Sequence, residues 1–155
     1  MSLNIKIFNA GEKFILPSCK IVFTNGCFDI LHPGHLDYLK NARDLGDLLI
    51  VGLNSDKSIR NIKGANRPIN NFDFRSKMLS FFDFVDFIIE FDENTPLELI
   101  KVIKPKILVK GEDYLGKKVV GEDVVLENSG EIVLLKYLDQ YSSTKIINKI
   151  LDKHK

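Results

Sequence analysis

Short apolar runs alternate with segments of helical period along nearly the whole chain, and that alternation narrows the fold more than any other feature. Lys20 to Thr24 reads as a buried strand ending at Asn25-Gly26. Gly34 to Leu45 then reads as a helix with Leu36, Leu39, Ala42 and Leu45 on one face and Gly46 as its stop. Leu48 to Leu53 is a second strand. The polar stretch to Asn71, containing Gly64 and Pro68, reads as a long loop carrying one short helix, and loops of that length in compact domains are often functional. Asp73 to Phe82 has helical spacing, Val85 to Glu90 is a third strand, and Thr95 caps a helix that starts at Pro96 and stops before Pro105. Ile107 to Lys110 and Ile132 to Leu135 are two further strands. Ser142 or Ser143 caps a final helix, Thr144 to Leu151, with Ile146, Ile147 and Ile150 facing inward. The expected fold is therefore α/β: a Rossmann-like, doubly wound, parallel five-stranded sheet with helices on both faces. In such sheets ligands bind outside the carboxyl ends of the strands, where strand order reverses.

At 155 residues the chain is read as one domain, 1–155, so one domain must hold every site. With 22 basic and 21 acidic residues the net charge is +1, which gives no general attraction to nucleic acid or an anionic membrane; any anion site must be local. The longest apolar runs, such as Leu48 to Val51, fall far short of the roughly 20 residues needed to span a bilayer. No basic region with an apolar stretch and cleavage site opens the chain, so a cytoplasmic location is expected. Met1-Ser2-Leu3 is compatible with an expression scar before Asn4. Cys19 and Cys27 are too few for a disulfide framework or a four-ligand zinc site and read as small buried hydrophobes.

The chemistry concentrates at His32-Pro33-Gly34-His35, just after the first strand and at the start of a helix. Pro33 suits the first helical turn because it lacks an amide hydrogen that would go unpaired there. His32 and His35, three apart, project from one face. Gly34 has no side chain, so a phosphate can approach the backbone between the imidazoles. The free amides and positive dipole of the helix start favour an anion at the same point. A lone histidine usually caps or packs; a pair at a strand-to-helix turn points to phosphate chemistry. Two histidines without another evident Cys or His ligand do not complete a zinc site.

Thr24-Asn25-Gly26-Cys27-Phe28-Asp29-Ile30-Leu31-His32-Pro33-Gly34-His35 resembles the signature of the cytidylyltransferase-like nucleotidyltransferases. Within them the chain most resembles the adenylyltransferase domain of the bacterial enzymes that make ADP-heptose for lipopolysaccharide core. Leu45-Gly46-Asp47, Leu53 to Asp56, Lys63-Gly64 with Arg67-Pro68, Leu108 to Tyr114, and Ser142-Ser143-Thr144 with Ile146-Ile147 carry that likeness. The resemblance implies that the phosphate of a sugar 1-phosphate attacks the α-phosphorus of a nucleoside triphosphate, ATP before CTP, and that pyrophosphate leaves. A phosphate monoester is already anionic, so alignment and charge neutralisation suffice and no Ser-His-Asp or Cys-His arrangement is needed.

By the same resemblance His32, His35 and Lys63 are the catalytic residues, Lys63 reaching the phosphates from a mobile loop; its bland alternative is a solvated surface lysine. Backbone amides at Gly26, Cys27 and Phe28 would supply a phosphate nest, with Asn25 and Gly34 also among the nucleotide- and phosphate-binding residues. Arg75 is directed at phosphate, Asp113 borders the nucleotide, and Ser142, Ser143 and Thr144 hold the β- and γ-phosphates while capping the last helix. Arg67 is a contact for the second substrate's phosphate, Arg being suited to bidentate phosphate recognition. Asp29 either orders the turn or lies at the substrate and assists a metal. Mg²⁺ is expected as companion of the triphosphate, carried mainly by it, and a homodimer is implied. Many relatives carry a fused sugar kinase domain; none is present in these residues, so a separate kinase is expected to supply the sugar phosphate.

Glycerol-3-phosphate cytidylyltransferase is the nearest rival. It has Arg-Thr-Glu-Gly-Ile-Ser-Thr-Thr before the final helix, where this chain has Tyr137 to Thr144 without that Arg and Gly. Gln140 and Tyr141 also replace small residues expected in the heptose enzymes. A cytidylyltransferase for another phosphorylated small molecule and a non-catalytic nucleotide-binding module are the remaining readings. A class I aminoacyl-tRNA synthetase is excluded by length and by the missing Lys-Met-Ser-Lys-Ser stretch.

Overall fold

A computed structural model describes residues 6–155, and Met1-Ser2-Leu3 lies outside them. Its centre is a six-stranded, wholly parallel sheet in the order β1-β4-β3-β2-β5-β6. The strands are β1 (Ile7–Phe8), β2 (Ile21–Gly26), β3 (Leu48–Asn54), β4 (Phe87–Phe91), β5 (Ile107–Gly111) and β6 (Glu131–Leu135). From β2 the chain winds outward through β3 to β4, then crosses back to lay β5 and β6 on the other side. Strand order therefore reverses between β2 and β5, and the crevice at their carboxyl ends is the place the topology offers a ligand.

The two-residue side-chain period of each strand divides the core into two layers. Val22, Leu49, Val51, Ile88 and Val109 face Leu39 and Ala42 of α1 (Pro33–Arg43) and Leu79 of α3 (Phe72–Ser80). Ile21, Phe23, Ile50, Ile89 and Leu108 face Ile100 and Ile103 of α4 (Leu97–Ile103) and Val125 of α5 (Glu122–Glu127). All seven residues of β3 are buried, as a central strand covered on both faces requires. Each core Leu or Ile buried in this way contributes on the order of 1.5–3 kcal/mol.

The sheet has six strands where five were expected. The additional β1 pairs Ile7 with Ile88 and Phe8 with Ile89, and two residues are too few to show a period. The segment 55–71 carries α2 (Asp56–Lys63), capped by Ser55, whose side chain accepts from the Ser58 amide. Between β5 and β6 lie a 3₁₀ turn, Glu112–Tyr114, and α5, neither expected from the pattern. Thr95 does not cap α4: Pro96 occupies the cap position, without a side-chain cap bond. In α6 (Ser143–Lys153) Ser142 is the cap, but Ile150 is 53% exposed and no residue is fully buried. No helix among the described residues is long and apolar enough to cross a membrane.

One polar knot ties the elements around the crevice. The Thr24 and Tyr38 hydroxyls lie 2.8 Å apart and 3.1 and 3.2 Å from the Val109 carbonyl. Each hydroxyl has one proton, so one donates to the other and the second donates to the carbonyl. β2, α1 and β5 are thereby joined beneath the site. Tyr38→Phe leaves Thr24 able to serve Val109, so it is expected to lower unfolding free energy by about 1 kcal/mol, whereas Tyr38→Ala should cost about 3–5 kcal/mol through the cavity it opens. Urea denaturation of the two variants checks the order.

Candidate active site

The strand-to-helix turn after β2 is built from strained backbone and buried charge. Phe28 adopts φ 45°, a left-handed conformation unusual for a bulky residue, and its ring is buried against His35 with centroids 5.1 Å apart. Asp29, 3% exposed, accepts hydrogen bonds from the Ile69 and Asn70 amides and from Arg67 Nε, each at 2.8 Å. The Asn70 side chain returns a bond to the Asp29 carbonyl at 2.8 Å. Burial alone would raise the Asp29 pKa, but the two amides and the guanidinium hold it below its ordinary value. Asp29 thus spends its carboxylate on ordering the turn, the first of the two roles the sequence offers it.

Arg75 is held by the same segment. Its side chain is fully buried and donates to the Asn70 carbonyl at 2.9 Å, to the Cys27 carbonyl at 2.8 Å and to Asp56 Oδ1 at 2.7 Å. A guanidinium so occupied positions the turn and is not presented to a phosphate. The Cys27 thiol is pushed up by burial against the lowering pull of Lys63, Arg75 and Arg67, so it stays protonated and unreactive.

His32 occupies the N-cap of α1 and Pro33 the first turn, as the spacing predicts. The imidazoles of His32 and His35 stack with centroids 3.8 Å apart and planes 20° apart. A Cβ on Gly34 would stand 3.0 Å from His32 Nδ1, so glycine lets the ring lie over the helix start. Both Nδ1 atoms are buried without a hydrogen-bond partner. A buried lone pair is tolerated there better than a buried orphan N–H, so the proton sits on Nε2, the nitrogen left accessible. Burial lowers the His32 pKa; burial, then the neighbouring His32 and Lys63, lower that of His35 to about 4. At neutral pH the pair is a set of uncharged N–H donors.

Across from the imidazoles lies the start of α6. Ser142 Oγ accepts from the Lys145 amide at 3.1 Å, and Ser143 Oγ donates to the Ile30 carbonyl at 3.0 Å, fastening this helix to the segment that leads into His32. His32, His35, Lys63, Arg67, Asp113 and the Ser142–Thr144 run line one cleft of about 500 Å³. A second compartment of about 360 Å³ adjoins it and contains Asn25, Gly26 and Cys27; Lys63, Asp113 and Tyr137 border both. Lys63 is exposed at the end of α2, followed by Gly64 at φ 97°. Phe28, Gly34, Asp29 and Arg75 line neither space and act through the backbone they shape. A groove of about 570 Å³ around Cys19 and Lys106 opens at the amino ends of β2 and β5, the end where parallel sheets do not bind ligands.

Sequence reasoning missed Lys110, Tyr137 and Tyr141 as site residues. Lys110 is the last residue but one of β5 and is 8% exposed. A single charge ending an otherwise apolar strand at the carboxyl edge of the sheet was the available signal. Tyr137 stacks on buried Tyr38 with centroids 4.7 Å apart, and Tyr141 lies roughly parallel to His32 at 6.1 Å. A Cβ on Gly111 would come within 2.1 Å of the Tyr137 ring, so this ring's seat depends on glycine.

The electrostatics fix a sign. Because the folded His35 pKa is depressed to about 4 from 6.5, its contribution to stability is complete above 6.5 and declines as pH falls towards 4. NMR titration of the imidazole C–H resonances is expected to give a His35 midpoint near 4 in the free protein and a higher one with a bound triphosphate, whose charge favours imidazolium. An ordinary midpoint near 6.5 would overturn the depressed pKa, and one above neutrality would remove the neutral donor pair.

Residues 23–149 match the Cytidylyltransferase-like family. Similar curated proteins include the bifunctional protein HldE of Campylobacter fetus, 57% identical over 130 residues, covering 84% of this chain and 28% of that protein. The HldE of Aliarcobacter butzleri is 50% identical over 153 residues, covering 99% of this chain and 30% of that protein. The chain thus spans under a third of the length of these relatives. Among solved structures, a lipopolysaccharide core biosynthesis protein from Thermoplasma volcanium superposes with TM-score 0.64 at 28% identity, covering 77% of this chain and 97% of that one. Pantoate-beta-alanine ligase from Francisella tularensis, with TM-score 0.53 at 17% identity over 89% of this chain and 72% of that one, shares the fold. With the stacked histidine turn, the parallel sheet and a match running from β2 into α6, the chain belongs to the cytidylyltransferase-like family.

Proposed function

We propose that this chain is a nucleotidyltransferase that joins ATP to a sugar 1-phosphate, heptose 1-phosphate, giving an ADP-sugar and pyrophosphate for lipopolysaccharide core or surface glycan synthesis. One observation carries the reading: a stacked pair of neutral imidazoles at the start of α1 faces the start of α6 across a single cleft. Two helix N-termini and two N–H donors then converge on one anion. The heptose and lipopolysaccharide assignment is supported by likeness to HldE proteins and to the Thermoplasma volcanium protein.

In the reaction an oxygen of the acceptor phosphate forms a bond to the α-phosphorus, the bond from that phosphorus to the bridging oxygen breaks, and its electron pair leaves with pyrophosphate. The Nε2–H groups of His32 and His35 donate to oxygens on which charge builds. Lys63, exposed beside a glycine hinge, closes on the same phosphates and adds the positive charge the imidazoles lack. Arg67, with Nε held by Asp29, offers its remaining guanidinium N–H groups to the cleft. The Ser142–Thr144 amides receive the terminal phosphates. Mg²⁺ would arrive with the triphosphate, be carried mainly by it and offset part of its charge; the described residues hold no cluster of His, Cys, Asp and Glu that would bind it alone.

The test is pyrophosphate release with ATP and CTP crossed against heptose 1-phosphate and glycerol 3-phosphate. Release is expected with ATP and heptose 1-phosphate; release confined to CTP would overturn the adenylyltransferase assignment. His35→Ala is expected to lower kcat by roughly 10²–10³-fold with the fold intact by circular dichroism, as removal of one preorganised donor does elsewhere. A rate within a few-fold of the parent would take the chemistry away from the histidine turn.

A further inference from the structure

The compartment beyond the histidines holds a cation with too few partners. Lys110 is 8% exposed at the end of β5, its ammonium bonded to Asn25 Oδ1 and lying 5.4 Å from the centroid of the Tyr114 ring. Among the described residues it makes no salt bridge; Asp113, the carboxylate that acts on it through space, is not within ion-pair distance. An ammonium has three donors, and one amide oxygen with one aromatic face leaves it incompletely solvated. Burial pushes its pKa down to about 8 while Asp113 pulls the other way, the expected state of a cation short of a counter-charge.

The surroundings specify what would complete it. Asn25 lies at the carboxyl end of β2, just before the turn that leads to His32 and His35, so an anion at Lys110 sits beside the histidine turn. Away from that end, Asn94 and Thr95 supply neutral hydrogen-bonding side chains, the type that reads hydroxyl groups. In the transfer proposed above the triphosphate takes the space between the imidazoles and α6, and that space meets this compartment at Lys63, Asp113 and Tyr137.

We infer that the compartment floored by Lys110 is the acceptor subsite, and that Lys110 anchors the monoester dianion of a sugar 1-phosphate while Asn94 and Thr95 meet the sugar hydroxyls. This rests on the nucleotidyl transfer proposed above. One phosphate oxygen bonds to Lys110 and another points through the junction at the α-phosphorus. Lys110 keeps its protons throughout: the new bond forms from acceptor oxygen to phosphorus, and pyrophosphate departs on the histidine side.

The test is a two-substrate kinetic analysis of Lys110→Met and Lys110→Arg with ATP and heptose 1-phosphate, beside thermal melts. For Lys110→Met the KM for heptose 1-phosphate is expected to rise roughly 10- to 100-fold, the loss of one charged hydrogen bond, with the KM for ATP little changed and Lys110→Arg recovering most of the affinity. A rise in the ATP KM instead, or an unchanged KM for heptose 1-phosphate, overturns the assignment. Should Lys110→Met fail to fold, ¹³C NMR of reductively methylated lysines in the parent protein decides: the Lys110 resonance, assigned through Lys110→Arg, should move with heptose 1-phosphate and stay with ATP. Movement with ATP alone overturns the inference. If the parent releases no pyrophosphate with heptose 1-phosphate, the transfer reading falls on its own; the same resonance titrated with glycerol 3-phosphate still reports whether Lys110 anchors a phosphate monoester, and no response overturns that too.

Discussion

Two buried charges hold the turn on which the rest of the site depends. Asp29 gathers the Ile69 and Asn70 amides and the Arg67 guanidinium, and Arg75 gathers the carbonyls of Cys27 and Asn70 together with Asp56. Ions taken out of water are tolerated when their hydrogen-bonding positions are filled, and both groups meet that condition. The result is a rigid link from the β2–α1 turn to the segment between α2 and α3. It lets Phe28 keep an unfavourable backbone angle and fixes where the helix carrying His35 begins.

On that frame the proposed anion recognition needs no large local excess of charge. The imidazoles are neutral donors, the ends of α1 and α6 contribute amides and dipoles, and Lys63 supplies charge from an exposed position. This agrees with a chain whose 22 basic and 21 acidic residues nearly balance. The proposed reaction assigns the two compartments on either side of Tyr137 to leaving group and acceptor. Tyr137 can serve as a fixed partition because Tyr38 stacks beneath it and Gly111 makes room for its ring.

Strand periodicity and the His-Pro-Gly-His turn made the sheet and its ligand end legible in the sequence, since both rest on local spacing. What escaped depended on distant partners. β1 is defined only by its pairing with β4, and α4 begins at Leu97 with Pro96 in the cap position although Thr95 has the better capping chemistry. Ile150 has inward helical spacing, yet α6 is fastened by the Ser143 bond to Ile30 and leaves that face exposed. The same holds at the site. Arg75 has the residue type of a phosphate ligand, but Asp56 and the Cys27 carbonyl, 19 and 48 positions away in the chain, had already claimed it. Lys110 looked like an ordinary strand end until the fold brought Asn25 to it from 85 positions away.

The stacked imidazoles also bear on how the site empties. Rings 3.8 Å apart with buried Nδ1 atoms resist taking on a second proton, so the pair meets pyrophosphate with dipoles and not with a fixed double positive charge. Dipolar donors favour an oxygen most while its charge is growing and hold the finished anion less firmly than two cations would. In the proposed reaction the full positive charge then rests on Lys63, an exposed residue outside the buried pair, so the cleft itself carries no fixed cation stack to retain the product.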